Sequence, residues 1–162
     1  MTLYLVRHAI AEPRGDDWPN DAARPLTPQG IARMREVAEA LAERGVQVER
    51  FWCSPLKRAV QTVEVLAPVW SPHRLVEAVP QLAPGQTAAV QASALAARST
   101  VGAAAVVGHE PELGTLLAWW LGARLPVPFK KGGVACIDIP PALARGTAEL
   151  RWLVTPRLLR EP

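Results

Sequence analysis

The chain has 162 residues, 49% of them apolar and 20% charged, with 18 Lys and Arg against 15 Asp and Glu for a formal net charge of +3. That length suits a single domain, residues 1–162, with a real core, and the composition is that of a soluble globular protein. The positive excess is small and scattered, unlike a nucleic-acid groove, and no apolar run reaches the roughly 18 residues that span a bilayer, so neither nucleic acid nor a membrane is an expected partner.

Thr2 to Val6 reads as a short buried strand that ends at Arg7 and His8. The apolar run before Arg7 is too short for a signal peptide, and a cytoplasmic protein is expected. A polar, Pro-rich loop follows from Glu12 to Leu26. Thr27 then has the features of an N-cap, with Pro28 at the first helical position. Ile31, Met34, Val37, Ala38 and Leu41 recur at helical spacing up to a stop at Gly45.

Val48 to Cys53 reads as a second strand. Ser54-Pro55 repeats the cap-then-proline start, and Leu56, Ala59, Val60, Val63 and Leu66 form the next apolar stripe, which Pro68 is expected to end. Arg58 lies off that stripe. A loop runs through Pro72, Pro80 and Pro84, with His73 exposed in it, and Gln86 to Arg98 is Ala-rich and helical. Ala103 to Val107 is a third buried strand leading to Gly108-His109, and Pro111 opens a helix to Leu121 that places at least one of Trp119 and Trp120 in the core. Gly133 to Ile139 and Ala148 to Val154 read as two strands about a turn at Arg145-Gly146. Cys53 and Cys136 lie far apart in apolar runs and read as buried reduced thiols. Strands that alternate with helices imply a mainly parallel sheet covered on both faces.

The polar residues fall at strand ends. Arg7 and His8 follow the first strand, Ser54 and Arg58 the second, and His109 the third. Ligands of open α/β sheets bind outside the carboxyl ends of the strands. Two Arg and two His delivered there suit a phosphoryl group: guanidinium forks match its oxygens, and a neutral imidazole can attack phosphorus and hold it covalently. Ser54 reads first as a helix cap, with a contact to phosphate as its second role. Lys130 and Lys131 precede Gly132-Gly133 and can steer an anion or simply form a solvated turn. No carboxylate sits at a convincing metal-ligand spacing from either His, which argues against a two-His metal site.

Leu5-Val6-Arg7-His8-Ala9 resembles the Arg-His signature of the histidine phosphatase superfamily, which includes the phosphoglycerate mutases. Arg24-Pro25-Leu26-Thr27-Pro28-Gln29-Gly30, Ser54-Pro55-Leu56-Lys57-Arg58-Ala59-Val60-Gln61-Thr62 and Val107-Gly108-His109 match in the same order. Short length and these segments make the chain most similar to the SixA-type phosphohistidine phosphatases. The resemblance implies a three-layer α/β domain without a large lid. It implies His8 as the phosphorylated nucleophile and Arg7, Arg58 and His109 as the phosphate pocket. It implies no metal or organic cofactor, and a phosphohistidine-bearing protein as the partner. The chain departs from small relatives where they often carry Pro-Glu-Leu: it reads Val79-Pro80-Gln81-Leu82, and Gln supplies no titratable proton. Glu12, Asp16 and Asp17 remain open as the acid. The leaning is therefore toward phosphohistidine, whose imidazole leaves more easily than an alkoxide. A small-metabolite phosphomonoesterase and a non-catalytic phosphohistidine-binding module are the alternatives.

Overall fold

The structure, a computed structural model, describes residues 1–73, 75–98 and 101–160. It has strands β1 (Thr2–Arg7), β2 (Arg50–Cys53), β3 (Leu75–Ala78), β4 (Ala103–Gly108), β5 (Val134–Asp138) and β6 (Glu149–Val154). The helices are α1 (Pro28–Ala42), α2 (Lys57–Trp70), α3 (Ala88–Ala96), α4 (Glu112–Leu121) and α5 (Pro156–Arg160). The strands form one sheet in the order β3-β2-β4-β1-β5-β6. The first four are parallel, and β5 and β6 join them antiparallel. A mostly parallel sheet in an α/β domain is what the alternation of elements implies.

Alternate strand residues serve two cores. Leu3, Leu5, Trp52, Ala104 and Val106 pack with Leu95 and Leu116 under α3 and α4. Val6, Phe51, Cys53, Ala105 and Val107 pack with Met34, Leu41 and Leu66 under α1 and α2. Period-two alternation thus buries both faces of the central strands. Trp120 is fully buried, and both cysteines are buried and free. Among the described residues no helix is long and apolar enough to cross a membrane.

Local chemistry explains where α1 sits. The Thr27 side chain accepts from the Gly30 amide at 2.9 Å, which caps the helix as its sequence predicts. Gly30 is needed there because a Cβ would collide with the Ile10 carbonyl oxygen. The loop after β1 therefore lies directly against the first turn of α1.

Four expectations are corrected. α2 begins at Lys57 with Leu56 in the cap position, so Ser54-Pro55 is not a helix start. α2 also runs through Pro68 to Trp70. The fully buried Trp70 donates from Nε1 to the Ala38 carbonyl at 2.9 Å, and that packing outweighs the one backbone bond a proline removes in the last turn. The loop through Pro72, Pro80 and Pro84 contains β3, a four-residue edge strand beside β2. A fifth helix, α5, follows β6 and packs on α1.

Candidate active site

β1, β2 and β4 end side by side, and Arg7 pairs in register with Gly108. The His8 amide donates to the Gly108 carbonyl at 3.0 Å, and the Ser54 amide donates to the Val107 carbonyl at 3.0 Å. The three polar segments are thus brought to one sheet edge by the ladder itself. There Arg7, His8, Arg58 and His109 line one pocket of about 310 Å³. The two imidazole rings lie 5.2 Å apart, centre to centre.

His8 is buried, and its Nδ1 lies 2.7 Å from the Ala9 carbonyl. A carbonyl only accepts, so Nδ1 carries the proton and Nε2 keeps the lone pair. The Ala9 amide donates in turn to the Thr62 hydroxyl at 3.1 Å, and that hydroxyl donates to the Arg58 carbonyl at 2.7 Å. The first turns of α2 therefore fix the peptide that orients His8. Burial drives the His8 pKa down to about 4, opposed by the Ala9 bond and reinforced by Arg58 and Arg7. The ring is neutral at pH 7.

His109 is buried as well, with Nε2 2.7 Å from the Ser54 Oγ. The Leu56 amide also donates to that oxygen at 3.3 Å, and the hydroxyl still has a proton to give and a second lone pair to offer, so it suits either tautomer of the ring. The His109 Nδ1 is a buried atom with no protein partner, and it carries the ring's proton in the tautomer in which Ser54 donates to Nε2. Burial, then the neighbouring His8 and Arg58, push this pKa down to about 3. Ser54 itself is fully buried and is not among the pocket's lining residues. Ser54 does not cap α2: its hydroxyl accepts from the Leu56 amide and is engaged with His109.

Arg58 is 1% exposed although it lies off the apolar stripe of α2. The loop at Asp21 covers it: Nη1 donates to the Asp21 carbonyl at 2.9 Å and Nη2 to the Asp21 Oδ2 at 3.0 Å. Burial lowers the Arg58 pKa and Asp21 raises it. Arg7 sends Nη1 to the Phe129 carbonyl at 2.6 Å. The Nε atoms of both Arg7 and Arg58 are buried without a protein partner. Those orphaned donors need an acceptor, and a phosphoryl oxygen would supply one.

Three further residues belong to this site and were not singled out from the sequence. Arg24 is buried, lines the pocket, and donates from Nε to the Asp21 Oδ1 at 2.9 Å and from Nη1 to the Glu12 carbonyl at 2.7 Å. Its place in the Arg24–Gly30 run was the available signal. Asp21 ties Arg24 and Arg58 together; its burial raises its pKa, but the two guanidiniums outweigh that and hold it below the ordinary value. Glu110, next to His109, lines the pocket and accepts from the Gly114 amide at 2.9 Å. Burial raises its pKa, with the Phe129 amide and Arg7 opposing.

Of the acids left open by the sequence, Glu12 lines the pocket and Asp16 and Asp17 do not. Gln81 lies elsewhere, against Ala89, Val90 and Ser93 of α3. Gln81 is not among the residues that line the His8 pocket. Among the described residues no group of three or more His, Cys, Asp or Glu is arranged to hold a metal ion.

Sequence comparison matches the profile of the histidine phosphatase superfamily (branch 1) over residues 3–83. The chain is 28% identical over 158 residues to phosphohistidine phosphatase SixA of Escherichia coli, covering 96% of this chain and 94% of that one. It is 38% identical over 130 residues to an uncharacterized protein of Picosynechococcus sp., covering 70% of this chain and 69% of its relative. Among solved structures, protein histidine phosphatase SixA complexed with tungstate superposes with a TM-score of 0.88 at 26% identity, covering 99% of this chain and 100% of that one. The structure named as a putative SixA of Agrobacterium tumefaciens gives 0.80 at 21% identity, covering 95% and 97%, and shares the fold.

Proposed function

The chain belongs to the histidine phosphatase superfamily, branch 1, and from that premise we propose that it removes phosphoryl groups from phosphohistidine through a covalent intermediate on His8. The observation that carries the reading is the His8 ring itself. It is neutral, its proton is held on Nδ1 by the Ala9 carbonyl, and it stands in a pocket lined by Arg7, Arg24, Arg58 and His109. The relatives named as phosphohistidine phosphatases, one of them in complex with the tetrahedral oxyanion tungstate, support the substrate.

In the first step the His8 Nε2 lone pair forms a bond to phosphorus in line with the leaving group. The phosphorus–nitrogen bond of the substrate breaks, and its electron pair stays on the departing imidazole, which takes up a proton. The guanidiniums of Arg7 and Arg58 and the Nδ1–H of His109 bear the charge spread over the phosphoryl oxygens. Water then attacks the phosphoryl-His8, one water proton replaces the proton consumed by the leaving group, and phosphate departs with His8 restored. The positive charge comes from the protein, so the reaction proceeds without a metal. Buried free thiols fit a reducing cytoplasm as its setting.

A general phosphomonoesterase is the second reading. Glu110 favours it, because a half-buried carboxyl with a raised pKa that lines the pocket can protonate an alkoxide. A substrate panel separates the two. Faster hydrolysis of a phosphohistidine peptide than of simple alkyl phosphates supports the first reading; the reverse order overturns it.

A further inference from the structure

A groove larger than the pocket that holds His8 lies beside it. It has a volume of about 660 Å³ and shares Arg7 and Lys131 with that pocket, so the two adjoin. Its floor is apolar: Ile10, Met34, Val37 and Pro156 come from the loop after β1, from α1 and from the start of α5. Its other cations are Arg33, Lys130 and Arg157, and none of the described lining residues is an Asp or Glu. Arg33, Lys130 and Lys131 have no ion-pair partner among the described residues. The local structure holds these groups in place: the Gly132 amide bonds the carbonyls of Arg7 and His8 at 3.2 Å each, which ties Lys130 and Lys131 to the end of β1.

We propose that this groove docks the residues flanking the phosphohistidine of a protein substrate, and that it selects flanks that combine acidic and apolar side chains. The inference rests on the phosphohistidine reading above. A free phosphohistidine needs little beyond the phosphoryl pocket, whereas the adjoining groove is about twice that volume and takes several side chains. An apolar floor gains by covering Leu- or Val-like side chains, and Arg33, Lys130 and Lys131 at its rim gain by meeting carboxylates. A basic segment would set like charges against one another there, which gives the groove its discrimination.

The test compares two phosphohistidine peptides, one flanked by Asp and Leu, the other by Lys and Ser, with phosphoramidate as the small donor. The wild-type enzyme is expected to favour the Asp/Leu peptide in kcat/KM by about tenfold or more, mainly through KM, and to lose part of that preference as salt rises. Arg33→Glu combined with Lys130→Glu should abolish or invert the preference and leave the kcat for phosphoramidate unchanged, which also reports an intact fold, since long-range charge acts on encounter and not on the bound donor. Arg124→Glu, a charge reversal outside the groove, should leave the preference in place. Equal handling of the two peptides by the wild type, or a preference that survives the double substitution, overturns the docking role alone. Failure to hydrolyse any phosphohistidine compound, phosphoramidate included, overturns the phosphohistidine reading together with it.

Discussion

Replacing Ser54 by Ala tests how far His109 depends on a buried residue that does not line the pocket. The Ser54 Oγ and the His109 Nε2 are 2.7 Å apart and both residues are buried, so no water replaces the lost hydroxyl. Ser54→Ala leaves Nε2 without a donor and frees the ring to carry its proton there, which turns a lone pair on Nδ1 toward the phosphoryl oxygens. A hydrogen bond to a charged group is worth about 1.5–3 kcal/mol, so losing the Nδ1–H donor should lower kcat/KM by roughly 10- to 150-fold. The unsatisfied buried nitrogen should also lower the unfolding free energy by about 1–3 kcal/mol. The assay pairs phosphoramidate turnover and urea unfolding with nitrogen-15 NMR of the imidazoles, which reports the tautomer directly. Wild-type His109 should show its proton on Nδ1. A proton on Nε2 in the wild type, or an unaltered kcat/KM in Ser54→Ala, would refute the reasoning.

Arg58→Lys removes a fork that grips Asp21 twice and presents Nε inward; kcat/KM should fall about 100-fold, the loss of two charge-assisted bonds, and a fall under fivefold would count against the pocket assignment. Both imidazoles titrate low in the folded chain, near 4 for His8 and near 3 for His109, against about 6.5 when unfolded. Below pH 6.5 the unfolded chain therefore binds protons that the folded chain refuses. Their contribution to stability is complete above that pH and is lost as pH falls toward 4, by up to about 1.4 kcal/mol per pH unit for each ring. Urea unfolding between pH 7 and 5 reads this slope, and His8→Ala should make it shallower; a slope unchanged by that substitution would contradict a neutral buried His8. Gln81→Glu should leave turnover of alkyl phosphates within about twofold, because residue 81 lies against α3; a tenfold rise would restore that position to the site.

The parallel centre of the fold is legible in the sequence because β1, β2 and β4 are short apolar runs followed by polar residues, and the caps of α1 and α3 use local chemistry, as Thr27 does with Gly30. Pro68 misled for the opposite reason. Its local rule is sound, but the burial of Trp70 is a tertiary term that no window on the sequence contains. β3 escaped because an exposed four-residue edge strand has neither apolar alternation nor length. At the site, His8, Arg7, Arg58 and His109 follow directly from strand ends. Ser54 was misread because the same Ser-Pro pair serves a cap in one context and a hydrogen bond to a distant His in another. Asp21 and Arg24 sit in an irregular loop whose path over α2 depends on the finished fold, so their grip on Arg58 has no periodic signature.

A phosphoryl group on the His8 Nε2 is the claim on which the whole account turns. Brief incubation with labelled phosphoramidate, an alkaline quench and peptide mass spectrometry should find acid-labile phosphate on His8 in the wild type. His8→Ala should show neither label nor turnover. Turnover with no label on His8, or turnover that persists in His8→Ala, would contradict it.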